Sequence, residues 1–144
     1  MYKKILISTD GSDVSQKAAQ SAVALARTCG AELFAISAKE PFPYSAISEM
    51  QPVPPQEFYD AQERIAAGRV KSVVDTAKAA GLTCGGHTVE ALHPWEAILD
   101  HAKAQQCDLI IMASHGRRGV AALLLGSETQ RVLIHSTLPV LIVK

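Results

Sequence analysis

Short apolar runs that alternate with helix-like segments constrain the fold of this chain more than any other feature of its sequence. Runs of this length and apolar content are typical of strands buried on both faces of a parallel sheet. Strands that alternate with helices predict right-handed crossovers, with helices on both faces. The sequence therefore predicts an α/β fold with one doubly wound, open parallel sheet of five strands. The runs cover residues 4–9, 32–38, 109–112 and 138–143, and a glycine-weakened run over residues 82–89 is expected at a sheet edge.

Between these runs lie four segments whose apolar residues recur at helical spacing. Gly30 ends the first segment, Pro94 suits the first turn of the third, and Ser127 is placed to cap the fourth. We expect the second helix to bury an apolar stripe made of Phe58, Ile65, Val70, Val73, Val74 and Ala77. The first helix follows a cap at Ser12 or Asp13, and the others cover residues 56–80, 93–104 and 128–136.

Composition and charge exclude several classes of protein. The length of 144 residues predicts a single domain over residues 1–144. Lys plus Arg equals Asp plus Glu at 14 each, which argues against a broad nucleic-acid-binding face because such a face needs a basic excess. No apolar run approaches the roughly 20 residues of a membrane span, and the apolar part of the first residues is too short for a signal peptide. We therefore expect a cytoplasmic protein.

The cysteines and most histidines show neither disulfide nor metal spacing. We predict that the cysteines are small buried residues and that these histidines are structural or solvated, so no metal site is expected from them. Trp95, the only tryptophan, is expected to be a packing anchor. The residues concerned are Cys29, Cys84, Cys107, His87, His93 and His101.

The segment after the fourth apolar run has the order of a phosphate-binding site. The run ends in small and polar residues, two glycines permit close approach of a ligand to the main chain, and two arginines add positive charge. A helix then begins near Ser127, and N–H groups at a helix N-terminus attract anions. This order predicts a phosphate cradle, although glycines that only punctuate a turn are the alternative. It is not a Walker A loop, and it consists of Ala113, Ser114, His115, Gly116, Arg117, Arg118, Gly119, Gly126 and Ser127.

Asp10 and Ser114 each follow a predicted strand at its carboxyl end. Ligands of open α/β sheets bind outside the carboxyl ends of the strands, where the strand order reverses. If the first and fourth strands are neighbours, these two loops face each other across one crevice. A role for Asp10 as a local loop cap is the alternative.

Three blocks of the sequence resemble the ATP-binding branch of the universal stress protein family. The first is residues 4–12, the second is Ala113-Ser114-His115-Gly116 followed after nine residues by Gly126-Ser127, and the third is residues 139–143. The second block is similar to the nucleotide motif G-x-x-G-(x9)-G-S/T of that family. The resemblance covers essentially the whole chain. It implies a Rossmann-like sheet in the order 3-2-1-4-5, of the adenine nucleotide alpha hydrolase-like type, and a homodimer through the last strand, residues 138–143.

The same resemblance implies a set of residues that bind an adenine nucleotide. ATP and Mg²⁺ are the expected cofactors, and ADP or AMP are the alternatives. Residues after the first two strands would lie near the base and ribose, and those after the fourth would border the nucleoside and hold the phosphates. The implied residues are Ser8, Thr9, Asp10, Ala38, Met112, Ala113, Ser114, His115, Gly116, Arg117, Gly126, Ser127, Glu128 and Thr129.

One position departs from the family motif, because Ala113 stands where its first glycine is expected. A methyl group there crowds the nucleotide, or is harmless if φ is negative. The sequence predicts weakened affinity without loss of binding.

Three functions fit these observations. The first is a small regulator of the stress response that binds ATP without rapid turnover, with no catalytic residue assigned. The second is a slow nucleotide hydrolase, for which His115 is the local acid–base candidate. The third is a nucleotide-free interaction module, to which the proline-rich connection over residues 41–55 contributes as either core cover or contact surface.

Overall fold

The computed structural model describes residues 1–42, 55–116 and 125–144. Within these ranges, parallel strands form one sheet in the order β3-β2-β1-β4-β5. The predicted fold class and strand order are therefore confirmed, and β3 and β5 form the two edges. The strands are β1 (Lys4–Ser8), β2 (Glu32–Lys39), β3 (Cys84–Glu90), β4 (Leu109–Ala113) and β5 (Val140–Val143). The helices are α1 (Asp13–Cys29), α2 (Gln56–Ala79), α3 (Pro94–Ala104) and α4 (Ser127–His135).

The sheet is covered on both faces, which explains why its central strands are continuously apolar. On one face, Ile5 and Ile7 of β1 join a buried cluster with α1 and α2. On the other face, Leu6 joins a cluster with α3 and α4. Successive side chains of a strand point to opposite faces, so both sets of side chains of a central strand pack against helices. Apolar residues are therefore favoured along the whole strand. None of the described helices is long and apolar enough to cross a membrane.

Helix α1 packs closely on the sheet because it presents small residues at a spacing of four. Ala18, Ala22 and Ala26 are all fully buried. Ser12, one of the two predicted caps, is the N-cap, and its hydroxyl accepts a hydrogen bond from the Ser15 N–H. Gly30 ends the helix with φ 67°, as predicted, because glycine adopts the left-handed conformation without steric cost.

Helix α2 buries the predicted apolar stripe at Val70, Val73 and Ala77, but not at Ile65. Its buried residues are Ala66, Val70, Val73 and Ala77. Ile65 was expected in the apolar stripe, but its exposed fraction is 45%. The predicted stripe is wrong at this position because the spacing of Val70, Val73 and Ala77 brings Ala66, and not its neighbour, onto the sheet.

Helix α4 begins one residue earlier than predicted. Gly126 is its N-cap, with φ −67° and ψ 159°, so Ser127 is the first helical residue and the prediction of Ser127 as the cap is wrong. The Gly126 N–H donates to the Ser114 carbonyl oxygen over 2.7 Å. This bond fixes residue 126 in an extended conformation against the end of β4, and the helix starts directly after it.

Candidate functional site

The carboxyl edge of the sheet brings together the loops that follow β1 and β4. The two strands are neighbours, with Ile7 paired to Ile111. A Cβ atom placed on Gly116 would lie 3.0 Å from Oδ2 of Asp10. The loops therefore face each other at van der Waals distance, and the juxtaposition expected from the sequence is present in the structure.

The β1 loop is held by its own polar side chains. Oδ1 of Asp10 accepts the Ser12 N–H at 2.9 Å, and Oγ1 of Thr9 accepts the Gly11 N–H at 3.2 Å. Gly11 adopts φ +79°, a conformation in which a side chain would be strained. The Thr9 N–H donates to the Ile36 carbonyl of β2. The local capping role of Asp10 is thus present, and its second carboxylate oxygen lies on the side of Gly116.

The β4 loop is tied to the two elements beside it. The Ser114 N–H donates to the Val143 carbonyl at the end of β5, and the Ser114 carbonyl accepts the Gly126 N–H. Oγ of Ser114 lies 3.0 Å from Nδ1 of His115, which places the His115 ring in a local hydrogen bond. A Cβ atom on Gly126 would lie 3.4 Å from both the Ser114 oxygen and the His115 Cα. Gly126 therefore borders the narrow gap between this turn and α4.

The start of α4 supplies backbone donors at the same edge. The first intrahelical bond runs from the Gln130 N–H to the Gly126 carbonyl, so the N–H groups of residues 127–129 precede the helical ladder. The N-cap residue Gly126 has no side chain, so it makes no side-chain hydrogen bond to this terminus. A helix N-terminus in this state attracts anions.

Two of the expected ligands use their side chains within the protein. The Thr129 hydroxyl is buried and donates to the Ala113 carbonyl over 2.9 Å. The Glu128 carboxylate turns towards α3, where Oε2 accepts the backbone N–H of Trp95 at 2.9 Å. The backbone N–H groups of both residues remain at the N-terminus of α4, so their predicted role in ligand binding stays a prediction for the main chain.

Ala113 is an ordinary strand residue. It ends β4, pairs with Val143, and belongs to the buried cluster under α1. Among the non-glycine residues that the structure describes, only Gln106 has a positive φ. The methyl group therefore requires no unusual backbone conformation, and it packs into the core.

The other residues expected to bind the nucleotide lie at the edge of the sheet, in its core, or outside the described residues. Ser8 ends β1, and Ala38 lies one residue before the end of β2, so both are at the carboxyl edge. Met112 is buried in the cluster below α3 and α4. Arg117, Arg118 and Gly119 lie outside the described residues, as do residues 43–54 of the proline-rich connection.

Sequence reasoning missed two features near this edge. Lys39 at the end of β2 forms an ion pair of 2.8 Å with Glu63 of α2, and hydrogen bonds from Lys39 and Thr88 lower the pKa of the Glu63 carboxyl. A cavity of about 370 Å³ opens between α1 and α2 and shares Thr9 and Gly11 with the β1 loop. Neither has a local sequence signal, because each joins residues distant along the chain.

The structure describes no group of three metal-ligating side chains. His87 and His101 instead stack on each other, with ring centroids 4.3 Å apart. Cys84 and Cys107 are buried, and burial raises the pKa of each thiol to about 11, so both are poor nucleophiles. The prediction of buried cysteines is confirmed for these two, while Cys29 is partly buried.

The sheet order and the crevice after β1 and β4 define an open, doubly wound α/β domain with its candidate site at the switch in strand order. A family model described as the universal stress protein family matches residues 1–144, and the chain belongs to that family. The resemblance seen in the sequence is therefore confirmed.

Curated and solved relatives agree with this assignment. A universal stress protein of Thermus aquaticus is 36% identical over 148 residues, with 100% of both chains covered. The structure of hypothetical protein MJ0577 of Methanocaldococcus jannaschii superposes with a TM-score of 0.84 at 28% identity, covering 100% of this chain and 96% of that one. A universal stress protein solved in complex with cAMP has a TM-score of 0.72 at 30% identity, with 99% and 97% covered.

Proposed function

We propose that this protein is a regulator of the stress response that binds an adenine nucleotide, ATP with Mg²⁺, at the carboxyl edge of β1 and β4. The observation that carries the proposal is the approach of Gly116 to Asp10 beside the N-terminus of α4. Two close backbone segments, a carboxylate and a helix N-terminus are suited to a ligand with a sugar at one end and phosphate at the other.

The family supports an adenine ligand. A relative at 30% identity was solved with cAMP, a ligand with an adenine base, a ribose and one phosphate. ATP shares the base and ribose and adds phosphate charge, for which the N–H groups of residues 127–129 are the natural donors. The choice of ATP over other adenine nucleotides is part of the proposal.

Within the proposed complex, each element of the edge has a separate task. The ends of β1 and β2, with Asp10 and Ala38, border the base and ribose, while Gly116 and Gly126 let the phosphates approach the main chain. Asp10 fits Mg²⁺ as well, since carboxylate and phosphate oxygens are the ligands that this ion prefers. Mg²⁺ would supply charge neutralisation for the phosphates.

The alanine in place of the first motif glycine does not weaken this proposal. Its methyl group lies in the core beneath α1, away from the gap between Gly116 and Gly126. We therefore expect Ala113→Gly to change nucleotide affinity by less than about threefold, in contrast to the weakening that the sequence alone suggests.

The decisive experiment is calorimetric titration of the Gly126→Val variant with ATP and Mg²⁺. A branched side chain at position 126 fills the gap next to the Ser114 turn, so we expect ATP affinity to fall at least tenfold (about 1.4 kcal/mol). Gly68→Val is the matched control, because a Cβ at Gly68 meets nothing within 4 Å, and this residue lines the cavity between α1 and α2, not the gap beside Gly126. Equal affinities for both variants, with folds intact, would remove the proposed site.

We propose in addition that two copies pair through β5. This strand is an edge of the sheet, and Leu141 on it has an exposed fraction of 40%. The adjacent helix α4 exposes Leu133 at 40% and Ile134 at 73%. Leu141 faces the α1 side of the sheet, because its neighbours Val140 and Ile142 pack in the α3/α4 cluster. An edge strand with an exposed apolar side chain favours association, and a two-fold axis would pair the β5 edge of one copy with the β5 edge of the other. The cytoplasmic location stays a prediction from the sequence.

A further inference from the structure

Helix α4 touches Trp95 of α3 near both of its ends. Glu128, the second residue of α4, accepts the backbone N–H of Trp95, and His135, the last residue of α4, stacks on the Trp95 ring with centroids 4.4 Å apart. Residues seven apart lie on one face of a helix after two turns, so a single face of α4 makes both contacts. Trp95 thus fixes the position of α4 relative to α3.

The Glu128 carboxylate also joins two helix N-termini. The donor that it satisfies belongs to the first turn of α3, while its own backbone lies in the first turn of α4. Both termini carry partial positive charge and attract anions. A carboxylate placed between them opposes every additional negative charge that arrives at α4.

We propose that Glu128 is a specificity-determining residue, whose carboxylate limits how much phosphate charge the site accepts and whose hydrogen bond to Trp95 holds α4 in register with α3. This inference rests on the proposed function, because it assumes that the site binds a nucleotide. The resemblance assigns residue 128 to the phosphates through its main chain, and the carboxylate, turned towards Trp95, adds a separate, repulsive effect on an anion.

Removing the charge while retaining the hydrogen-bond acceptor separates the two roles. Glu128→Gln keeps a side-chain oxygen for the Trp95 N–H, so α4 stays in place and only the repulsion is lost. We expect ATP affinity to rise about three- to tenfold and adenosine affinity to stay unchanged, with the gain shrinking at high salt. Glu57→Gln is the control, because it removes the same charge from the first turn of α2.

The hydrogen bond is tested in the free protein. Trp95 is the only tryptophan, so its emission reports one site. Glu128→Ala should change the intensity and wavelength of that emission because the ring loses its fixed stacking on His135, while Glu128→Gln should leave the emission close to that of the wild type. Identical emission in all three proteins would overturn the link between α3 and α4.

The nucleotide-binding measurements can also contradict the proposal. An unchanged ratio of ATP to adenosine affinity in Glu128→Gln would overturn the charge role. If the wild type binds neither ligand, the proposed function fails, and inorganic tripolyphosphate then tests Glu128 alone, since it needs no base pocket. Tripolyphosphate should bind Glu128→Gln more tightly than the wild type, and failure to do so would overturn the inference even without nucleotide.

Discussion

At the scale of single residues, two glycines differ in whether packing leaves room for a side chain. Gly68 lies inside α2, and a Cβ there would meet nothing within 4 Å. Gly86 lies in β3, and a Cβ there would stand 2.5 Å from Cγ1 of Val70 on α2. The first glycine costs helix stability without a packing reason, whereas the second allows α2 to pack against the sheet.

Alanine substitutions at these two positions should therefore have opposite effects. Gly68→Ala should raise the free energy of unfolding by about 0.5–1 kcal/mol, because alanine restricts the unfolded chain and fits the helix. Gly86→Ala should lower it by about 1–3 kcal/mol, because the methyl group forces Val70 to move. Urea unfolding of both variants measures the two changes, and the same sign for both would contradict the packing described between α2 and β3.

At the scale of elements, the sequence predicted the order of strands and helices because the central strands are mainly apolar and helices carry local signals, such as Gly30 at the end of α1 and Pro94 at the start of α3. The errors arose where a tertiary contact chose between neighbouring residues. Ile65 and Ala66 both suit the face of a helix, and only the docking of α2 on the sheet selects Ala66. Residues 126 and 127 both suit a cap, and the bond from Gly126 to Ser114 selects Gly126.

The candidate site was predictable to the same extent. Asp10 and Gly116 could be placed after strand ends from the sequence, and the strand order that the resemblance implies predicted that their loops face each other. The directions of the side chains could not be read, because they depend on long-range partners. Glu128 turns to Trp95, and Thr129 turns to the carbonyl of Ala113.

Asp108 joins the starts of β1 and β4, and this contact makes the stability of the sheet depend on pH. Its carboxylate accepts the N–H groups of Lys3 and Lys4. Burial favours a higher pKa for Asp108, but these backbone hydrogen bonds and the charge of Lys3 outweigh it and hold the pKa below its usual value. A depressed folded-state pKa means that the stabilisation is complete above the unfolded pKa and is lost as the pH falls through the folded one.

Asp108→Asn should consequently destabilise the protein in a pH-dependent way. We expect a loss of about 1 kcal/mol at pH 7, a value limited by solvent screening, and a much smaller difference from the wild type at about pH 2–3. Unfolding free energies measured across this range test the claim. A difference between the two proteins that is constant with pH would show that the carboxylate charge is not the stabilising feature.

At the scale of the whole molecule, the two sheet edges differ in what they present. Edge β3 carries exposed glycines and His87, while edge β5 carries the exposed apolar side chain of Leu141. An apolar edge is the one more prone to pair with a second copy.

The proposed dimer therefore predicts a position-specific effect of charge. Leu141→Lys should shift the protein from dimer to monomer at micromolar concentration in sedimentation velocity, because a lysine on an edge strand opposes pairing. Leu92→Lys is the control, since Leu92 has an exposed fraction of 74% and does not lie on β5. A wild type that sediments as a monomer, or equal shifts in both variants, would contradict pairing through β5.

The central position of β1 has a consequence for how the chain is made. One neighbour of β1 follows within the first 40 residues, but the other is β4, and the bond from the Lys4 N–H to Asp108 spans 104 positions. During synthesis, β1 cannot pair with β4 until most of the chain has left the ribosome. The crevice between Asp10 and Gly116 then forms among the last features, so a nascent chain that stops short of β4 should be exposed to aggregation and chaperones and unable to hold a ligand.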